Sequence, residues 1–413
     1  MNILLIGIDY FANRSSGDKN FWRHLLPMMA EKSNRVVVIS FNYRTVRVET
    51  QPTTGHPIQI YNVSPSHVGI DLRPDPSTLG NREKCHSHFK SPPRSPVEYF
   101  LSFVRIRSLM RHVIAEQGIT NVHCMDNFGP AMRLVQRWVS PIPLSVSAMG
   151  YYARGPFHDR YLQLCYQGVE AIVPFSSAHR QKLLDLGLSG RNLFTIPWGQ
   201  DIGSIGEAST YGERESLKRD LKIPLNHKLI LWTGFIQQIR EKELYASLDI
   251  ARDIIQLRDD VYFVFALKPE CYHPRYQDFA ASQIRIISTT NDVFLSLLRS
   301  ADFLLSPITN TKSIATPPLS WIEAMAIGCP IATNKIPGVE TVVLPGENGL
   351  VAESVDAIPD LLDAALLRKD NETMRKNARS HILTNYTISK SAIAYQELWQ
   401  ELQDRKLGNY NGT

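Results

Sequence analysis

The chain is short of every feature that would set it apart from ordinary globular proteins. Its 5 cysteines among 413 residues, Cys85, Cys124, Cys165, Cys271 and Cys329, are scattered and form no CxxC pair. Reduced thiols are therefore expected, with neither a disulfide framework nor a structural zinc site. No apolar run reaches the roughly 18 residues of a membrane span. The opening MNILLIGIDYF lacks the basic first region and small-residue cleavage site of a signal peptide, and reads as a buried first strand. A cytoplasmic location is the expectation. A net charge of +5 is too mild to imply a nucleic-acid partner. No His/Cys/Asp cluster has the spacing of a metal site, so no metal is expected.

What the chain does have is length and alternation. Its 413 residues suit two α/β domains with a cleft between them. Short apolar runs alternate with helical stretches throughout, the pattern of parallel sheets built from strand-helix-strand units. Strands are predicted at Ile3–Ile8, Arg35–Ser40, Ile58–Val63, Asn121–Met125, Leu144–Ala148, Ala171–Phe175 and Leu193–Ile196. In the second half they fall at Lys228–Thr233, Tyr262–Leu267, Arg285–Ile287, Phe303–Ser306 and Pro330–Thr333. A helix is predicted over Lys19–Lys32, bent at Pro27. Gly, Ser and charge dominate Gln200–Lys222, which reads as a linker between domains 1–203 and 222–387, with a crossover helix and tail at 388–413. Ser64–Pro96 has no period and reads as a long surface loop.

The strongest local signal is TPPLSWIEAMAIGCP, Thr316–Pro330. Thr316 suits an N-cap, Pro317 the first helical position, and Gly328 with Pro330 stops the helix after Ile327. In an open α/β sheet, ligands sit beyond the carboxyl ends of the strands, where loops run into helix N-termini. Unpaired N–H groups and partial positive charge there favour a phosphate. Glu323 lies roughly 9 Å along the helix, at 1.5 Å per residue, a distance comparable with that from a diphosphate to its ribose. A carboxylate there can accept hydrogen bonds from both ribose hydroxyls. A lone glutamate on a helix is most often merely solvated; the framing by proline and glycine sets this one apart.

WIEAMAIGCPIATNKIPGVETVVLPGENGLV resembles the donor-site signature of the family 4 retaining glycosyltransferases, also called glycosyltransferase group 1. The similarity covers essentially the whole chain: NVHCMDNFGPA, AIVPFSSAHRQKLLDLGL and LFTIPWGQD resemble the close of the family's first domain, and ILWTGFIQQIREK its basic phosphate-clamp loop. The resemblance implies the GT-B fold, two Rossmann-like doubly wound parallel-sheet domains facing a central cleft. It also implies an enzyme that transfers a sugar from a nucleotide-sugar, the co-substrate, to an acceptor hydroxyl with retention of configuration, in polysaccharide, glycolipid or glycoside biosynthesis. Glu323 would hold the donor ribose, Gly17 would let the backbone approach the diphosphate, and Arg240 or Lys242 would neutralise the leaving group. Gly234, Thr316, Pro318, Leu319 and Ser320 would complete the donor-binding set. The departing phosphate oxygen takes the acceptor proton in the usual account of the family, so no enzymic nucleophile is expected.

Three positions depart from the family pattern. Ala315 stands where a second glutamate often binds the sugar hydroxyls, Phe235 replaces the clamp arginine, and Met149 replaces a histidine. The implied donor sugar has fewer hydroxyls, as in a 6-deoxy sugar or a pentose. The Asp-x-Asp motif of the other large glycosyltransferase fold is present only in stretched form, Asp71-Leu72-Arg73-Pro74-Asp75, which agrees with the absence of a metal.

Other residues admit two readings. Gly17 alone could serve a turn, and Arg240 and Lys242 could be surface charges. Asp126 is either a helix N-cap or a catalytic residue at the cleft. His123 is more readily a strand histidine than a ligand. Between Arg82 and Arg111, seven Lys or Arg stand against Glu83 and Glu98. That patch is a solvated face or, with Tyr99, Phe100, Leu101, Phe103 and Val104 interleaved, a peripheral contact with an anionic membrane carrying a lipid-linked acceptor. Beside the glycosyltransferase stand a nucleotide-sugar epimerase or sugar-phosphate synthase on the same fold, and a non-catalytic donor-binding subunit.

Overall fold

The structure, a computed structural model, describes all residues except 9–16, 32–33, 42–46, 64–95, 126–130, 149–155, 207–209, 221, 235–240, 270–271, 311–317, 369–370 and 412–413. The chain forms two units: one ends at Gly199 and takes back Ile388–Thr413, and the other covers Gln200–Thr387.

The first unit runs β1 (Asn2–Ile8), α1 (Gly17–Glu31), β2 (Arg35–Phe41), β3 (Arg47–Gln51), β4 (Ile58–Val63), α2 (Pro96–Gln117), β5 (Asn121–Cys124), α3 (Ala131–Val139), β6 (Leu144–Ser147), α4 (Pro156–Tyr166), β7 (Ala171–Val173) and α5 (Ser177–Asp185). Its sheet has the order β3-β4-β2-β1-β5-β6-β7, parallel except for β3, which pairs antiparallel with β4 at the edge. β1 is apolar at successive positions because both faces are covered. Leu4 and Ile6 join one core with Met110, Val113 and Val122, and Ile3 and Leu5 the other with Trp22, Leu25 and Tyr395.

The second unit runs α6 (Ile202–Ile205), α7 (Tyr211–Asp220), β8 (Lys228–Gly234), α8 (Glu241–Leu257), β9 (Val261–Leu267), β10 (Ile284–Ser288), α9 (Asn291–Ser300), β11 (Phe303–Leu305), α10 (Leu319–Ala326), β12 (Ile331–Asn334), β13 (Gly349–Ala352), α11 (Ile358–Leu366) and α12 (Asn371–Asn385). All six strands are parallel, in the order β10-β9-β8-β11-β12-β13. Leu229 and Leu231 face one core, Ile230 and Trp232 the other.

The last helix, α13 (Ile388–Asn411), belongs to the first unit, where Tyr395, Trp399 and Leu402 share a core with α1 residues Phe21, Trp22 and Leu25. Tyr395 Oη lies 3.1 Å from Ser147 Oγ, and Trp399 Nε1 donates to Ser145 Oγ at 3.1 Å.

Two doubly wound α/β sheets are what the alternation of apolar runs predicts, and strand positions agree within a residue or two. Three differences have physical causes. Leu193–Ile196 makes only an isolated bridge to Ile172, since its partner β7 is three residues long and is followed by Pro174, which has no N–H to donate. The stretch expected as a linker carries α6 and α7. Ile205 and Ile223 enter the core there, and Lys218 pairs with Asp302 at 3.6 Å. The strand β3, RVETQ, is polar and sits at an edge, where apolar alternation is not required.

Candidate functional site

In each sheet the strand order reverses once, between β1 and β5 in the first and between β8 and β11 in the second. The crevice beyond the carboxyl ends of the strands at such a point is where open α/β sheets place ligands. In the second unit, β8 ends at Gly234 on one side, and on the other the chain leaves β11 through Ser306 towards α10.

The departure from β11 is fixed by side chains of β12. Thr333 Oγ1 donates to the Ser306 carbonyl at 2.7 Å, and Asn334 accepts from Ile308 N at 2.8 Å while donating to its carbonyl at 3.2 Å. Trp321, fully buried in the first turn of α10, donates its Nε1 to Ser306 Oγ at 2.8 Å. The helix entrance is thereby tied to the sheet at two strands.

The helix begins later than the sequence suggests. Pro318 occupies the cap position with φ −57° and ψ 141°, and Leu319 is the first helical residue. A residue that precedes proline is pushed out of the α region, and here Thr316 precedes Pro317, which precedes Pro318. The helix thus opens two residues later than expected, since Pro317, preceding Pro318, is disfavoured as a helical residue; Thr316 and Pro317 themselves lie outside the described residues. Pro318, itself without an N–H, makes no side-chain cap; Trp321 N reaches its carbonyl at 2.9 Å. The backbone N–H groups of Leu319 and Ser320 are left as the donors of the helix mouth. Glu323 is the fifth helical residue, so the shorter helix brings it to about 7 Å from the cap along the axis.

The other end matches expectation. Gly328, at φ 85°, is the left-handed residue after the Ile327 cap; its N–H bonds Met325 O at 2.9 Å, and Cys329 N bonds Ala324 O at 2.8 Å. Arg379 of α12 donates to the Ala326 carbonyl. Cys329, buried behind the helix, has its thiol pushed up to about 12 by burial, so it remains protonated and is no nucleophile.

Glu323 is the group with chemistry. The residue is partly exposed, yet burial raises its carboxyl from 4.5 to about 7, with the positive charge of Lys268 opposing the rise. Lys268 is the residue after β9, the strand beside β8. Sequence reading missed it; the available signal is a lysine closing the apolar run VYFVFAL.

The remaining expected residues divide as follows. Lys242 is exposed in the first turn of α8, next to Glu241, which is held by Arg275 at 2.6 Å and by Tyr245 Oη at 3.2 Å. Gly234 closes β8, and a Cβ there would lie 2.7 Å from the Trp232 ring, so packing alone accounts for this glycine. Gly17 is the first residue of α1 in the other unit. Asp126, Met149, Phe235, Arg240, Ala315 and Thr316 lie outside the described residues. So do the loop over residues 64–95 and most of the basic patch; within its described part, Ile106 and Met110 of α2 are buried in the core and Arg107 and Arg111 are exposed. Among the described residues no helix is long and apolar enough to cross a membrane, and no group of three or more His, Cys, Asp or Glu could hold a metal ion.

His123 is structural. It is wholly buried, with Nδ1 2.8 Å from Ser145 Oγ and Nε2 3.0 Å from Ser147 Oγ, enclosed by Trp22, Tyr395 and Trp399. Burial lowers it to about 3, so the ring is neutral.

Comparison with known proteins agrees with this geometry. Residues 227–368, which include β8, α10 and Glu323, match the family model for glycosyl transferases group 1. The D-inositol 3-phosphate glycosyltransferase of Corynebacterium urealyticum is 25% identical over 203 residues, 46% of each chain. The chain spans between 46% and 62% of the length of the curated relatives it matches. Two solved structures share the fold over nearly their whole length. Sucrose-phosphate synthase from Thermosynechococcus elongatus has a TM-score of 0.71 and 14% identity, covering 97% of this chain and 98% of that one. Anabaena HepE in complex with UDP and glucose has a TM-score of 0.65 and 12% identity, covering 97% and 100%. The chain thus shares the GT-B fold of two parallel-sheet domains with these structures, and its residues 227–368 match the glycosyl transferases group 1 domain.

Proposed function

We propose that the protein transfers a sugar from a nucleoside diphosphate to an acceptor hydroxyl with retention of configuration, in the assembly of a polysaccharide, glycolipid or glycoside. The observation that supports this reading is that α10, which carries Glu323, follows β11, a strand at the strand-order reversal of the second sheet, inside the region that matches the family. The mouth of the helix suits the diphosphate. Glu323 suits the two ribose hydroxyls, and Arg240 and Lys242 are assigned to the charge that develops on the leaving diphosphate. In the transfer, the bond from the anomeric carbon to the diphosphate oxygen breaks and that carbon bonds the acceptor oxygen. The hydroxyl proton passes to the departing phosphate oxygen, with Asp126 assigned to orient the acceptor. The fold shared with HepE, whose structure holds UDP and glucose, supports a nucleotide-sugar as the donor.

The test is a panel of UDP-, GDP-, ADP- and dTDP-sugars, including 6-deoxyhexoses and pentoses because of Ala315 and Met149, incubated with acceptor alcohols. Products are followed by mass spectrometry, and anomeric configuration by nuclear magnetic resonance. A glycoside plus free nucleoside diphosphate, with the anomeric configuration kept, is expected. An isomerised donor would identify an epimerase, and binding without turnover a donor-binding subunit; either overturns the proposal.

A further inference from the structure

We propose that Ser306 is a binding residue of the donor site, its hydroxyl donating a hydrogen bond to a phosphate oxygen of the nucleoside diphosphate. The inference rests on the donor-site reading above and adds a residue that reading does not contain.

The sheet sets the place of this serine. β11 is three residues long, and Pro307, which has no N–H, ends its ladder. Ser306 is the last residue to pair: its N–H donates to the Ala332 carbonyl at 2.9 Å, and its carbonyl accepts from Thr333 Oγ1 at 2.7 Å. Beyond the proline, Asn334 holds both polar groups of the Ile308 backbone in place of the broken ladder. Side chains alternate across a strand. Phe303 and Leu305 enter one core, and Leu304 enters the other, which contains Trp321, Ile322 and Met325 of α10. Ser306 therefore falls on the α10 face, one residue beyond β11, a strand at the order reversal.

The helix supplies a second fixed point. Trp321 is the third residue of α10, and a helical side chain lies over the turn N-terminal to its own Cα. Its Nε1 donates to Ser306 Oγ at 2.8 Å, which ties the hydroxyl to the opening turn of the helix. That turn is the part of the site assigned to the diphosphate.

Hydrogen bonding then decides what the hydroxyl can do. An indole N–H only donates, so the Trp321 contact occupies a lone pair of Oγ and leaves its proton unspent. Among the described residues no group accepts that proton, and Ser306 keeps part of its surface exposed. In the free protein solvent serves it. A hydroxyl held in this way is a donor, and an anionic phosphate oxygen is the acceptor that makes its bond charge-assisted.

Ser306→Ala should lower affinity for UDP, GDP or ADP, whichever wild type binds, by about tenfold in titration calorimetry. Affinity for the matching nucleoside should not change, because the lost bond goes to phosphate. Ser306→Thr keeps the hydroxyl and should bind as wild type does. Trp321→Phe loses the same internal bond but keeps the hydroxyl, and should lose less affinity than Ser306→Ala. Thermal unfolding checks that each variant is folded at the assay temperature. Equal losses in Trp321→Phe and Ser306→Ala would show a brace for the helix and no ligand contact. Equal losses for diphosphate and nucleoside would show a fold defect, and unchanged affinity in Ser306→Ala would remove the role; each of these overturns the proposal. If wild type bound no nucleoside diphosphate, the donor reading would fail, and inorganic diphosphate would become the probe. Binding that Ser306→Ala weakens would keep Ser306 as a phosphate ligand, whereas no binding, or binding that the variant left unchanged, would overturn it as well.

Discussion

Replacing Glu323 with glutamine should make the second unit more stable and at the same time spoil its ligand site. In the folded chain the carboxyl is raised by burial from 4.5 to about 7. Between those values the folded state holds a proton that the unfolded state has released, so stability falls as pH rises through the window, by about 1.4 kcal/mol per unit. The ceiling is roughly 3 kcal/mol above pH 7. Because the side chain keeps part of its surface in water, about 1–2 kcal/mol is the fitting magnitude. Glutamine has the same shape and no charge to desolvate. Scanning calorimetry and urea unfolding should show Glu323→Gln more stable than wild type by that amount at pH 8, with the gain gone at pH 4. Affinity for a nucleoside diphosphate should fall roughly 10- to 100-fold at pH 8, the loss of charge-assisted hydrogen bonds to a diol. A variant less stable than wild type at pH 8 would refute the desolvation argument. One that kept its affinity would refute the ribose contact.

The remaining tests concern the frame around the site. His123, lowered to about 3 by burial, binds fewer protons in the folded state than in the unfolded state, where its value is about 6.5. Its neutral form stabilises the fold above pH 6.5, and that contribution is lost towards pH 3 at about 1.4 kcal/mol per unit. His179, lowered to about 4 by burial and by Lys182, adds to the same slope. Urea unfolding of His123→Asn between pH 4 and 7 should show a shallower pH dependence than wild type, and equal slopes would dismiss the role. Gly328→Ala forces a side chain onto φ 85° and should lower the stability of the second unit by about 1–2 kcal/mol, seen in its thermal midpoint. Trp399→Ala, which empties a fully buried site under the first sheet, should cost that unit about 3–5 kcal/mol, whereas Trp399→Phe, losing chiefly the bond to Ser145, should cost about 1 kcal/mol.

The sheets were legible in the sequence because strands buried on both faces appear as unbroken apolar runs: NILLIGI, RVVVISF, KLILWTG and VYFVFAL each identify themselves. β3 was not, since an edge strand with RVETQ owes its pairing to β4 and shows no pattern of its own. The end of α10 was legible because Gly328 acts locally. Its start was misplaced because the preference for proline at the first helical position was weighed without the steric rule for a residue before proline, which disfavours helix at Pro317. Lys268 and the pinning of Ser306 by Thr333 and Trp321 depend on strands that lie far apart in the chain. No window of sequence contains them. Gly234 carries the converse lesson, for a glycine that the resemblance assigns to a phosphate clamp also has a packing reason in the ring of Trp232.

The two strand-order reversals share a topology and differ in the chemistry of their described residues, and the difference favours one of them for the proposed anionic ligand. At the first, a Cβ on Gly7 would meet Met125 Sδ at 2.6 Å, and His123, one strand over, is neutral and enclosed by three aromatic rings. The described groups there offer apolar surface and a locked hydrogen-bond network. At the second, α10 follows β11 and carries Glu323, and Lys268 follows β9. Topology makes both crevices available. Among the described residues, the second has a helix N-terminus that suits a diphosphate and, about one helical turn further on, an acceptor for a diol. A nucleoside diphosphate carries both kinds of group, which is why the proposed donor site is sought at the second reversal and not at the first.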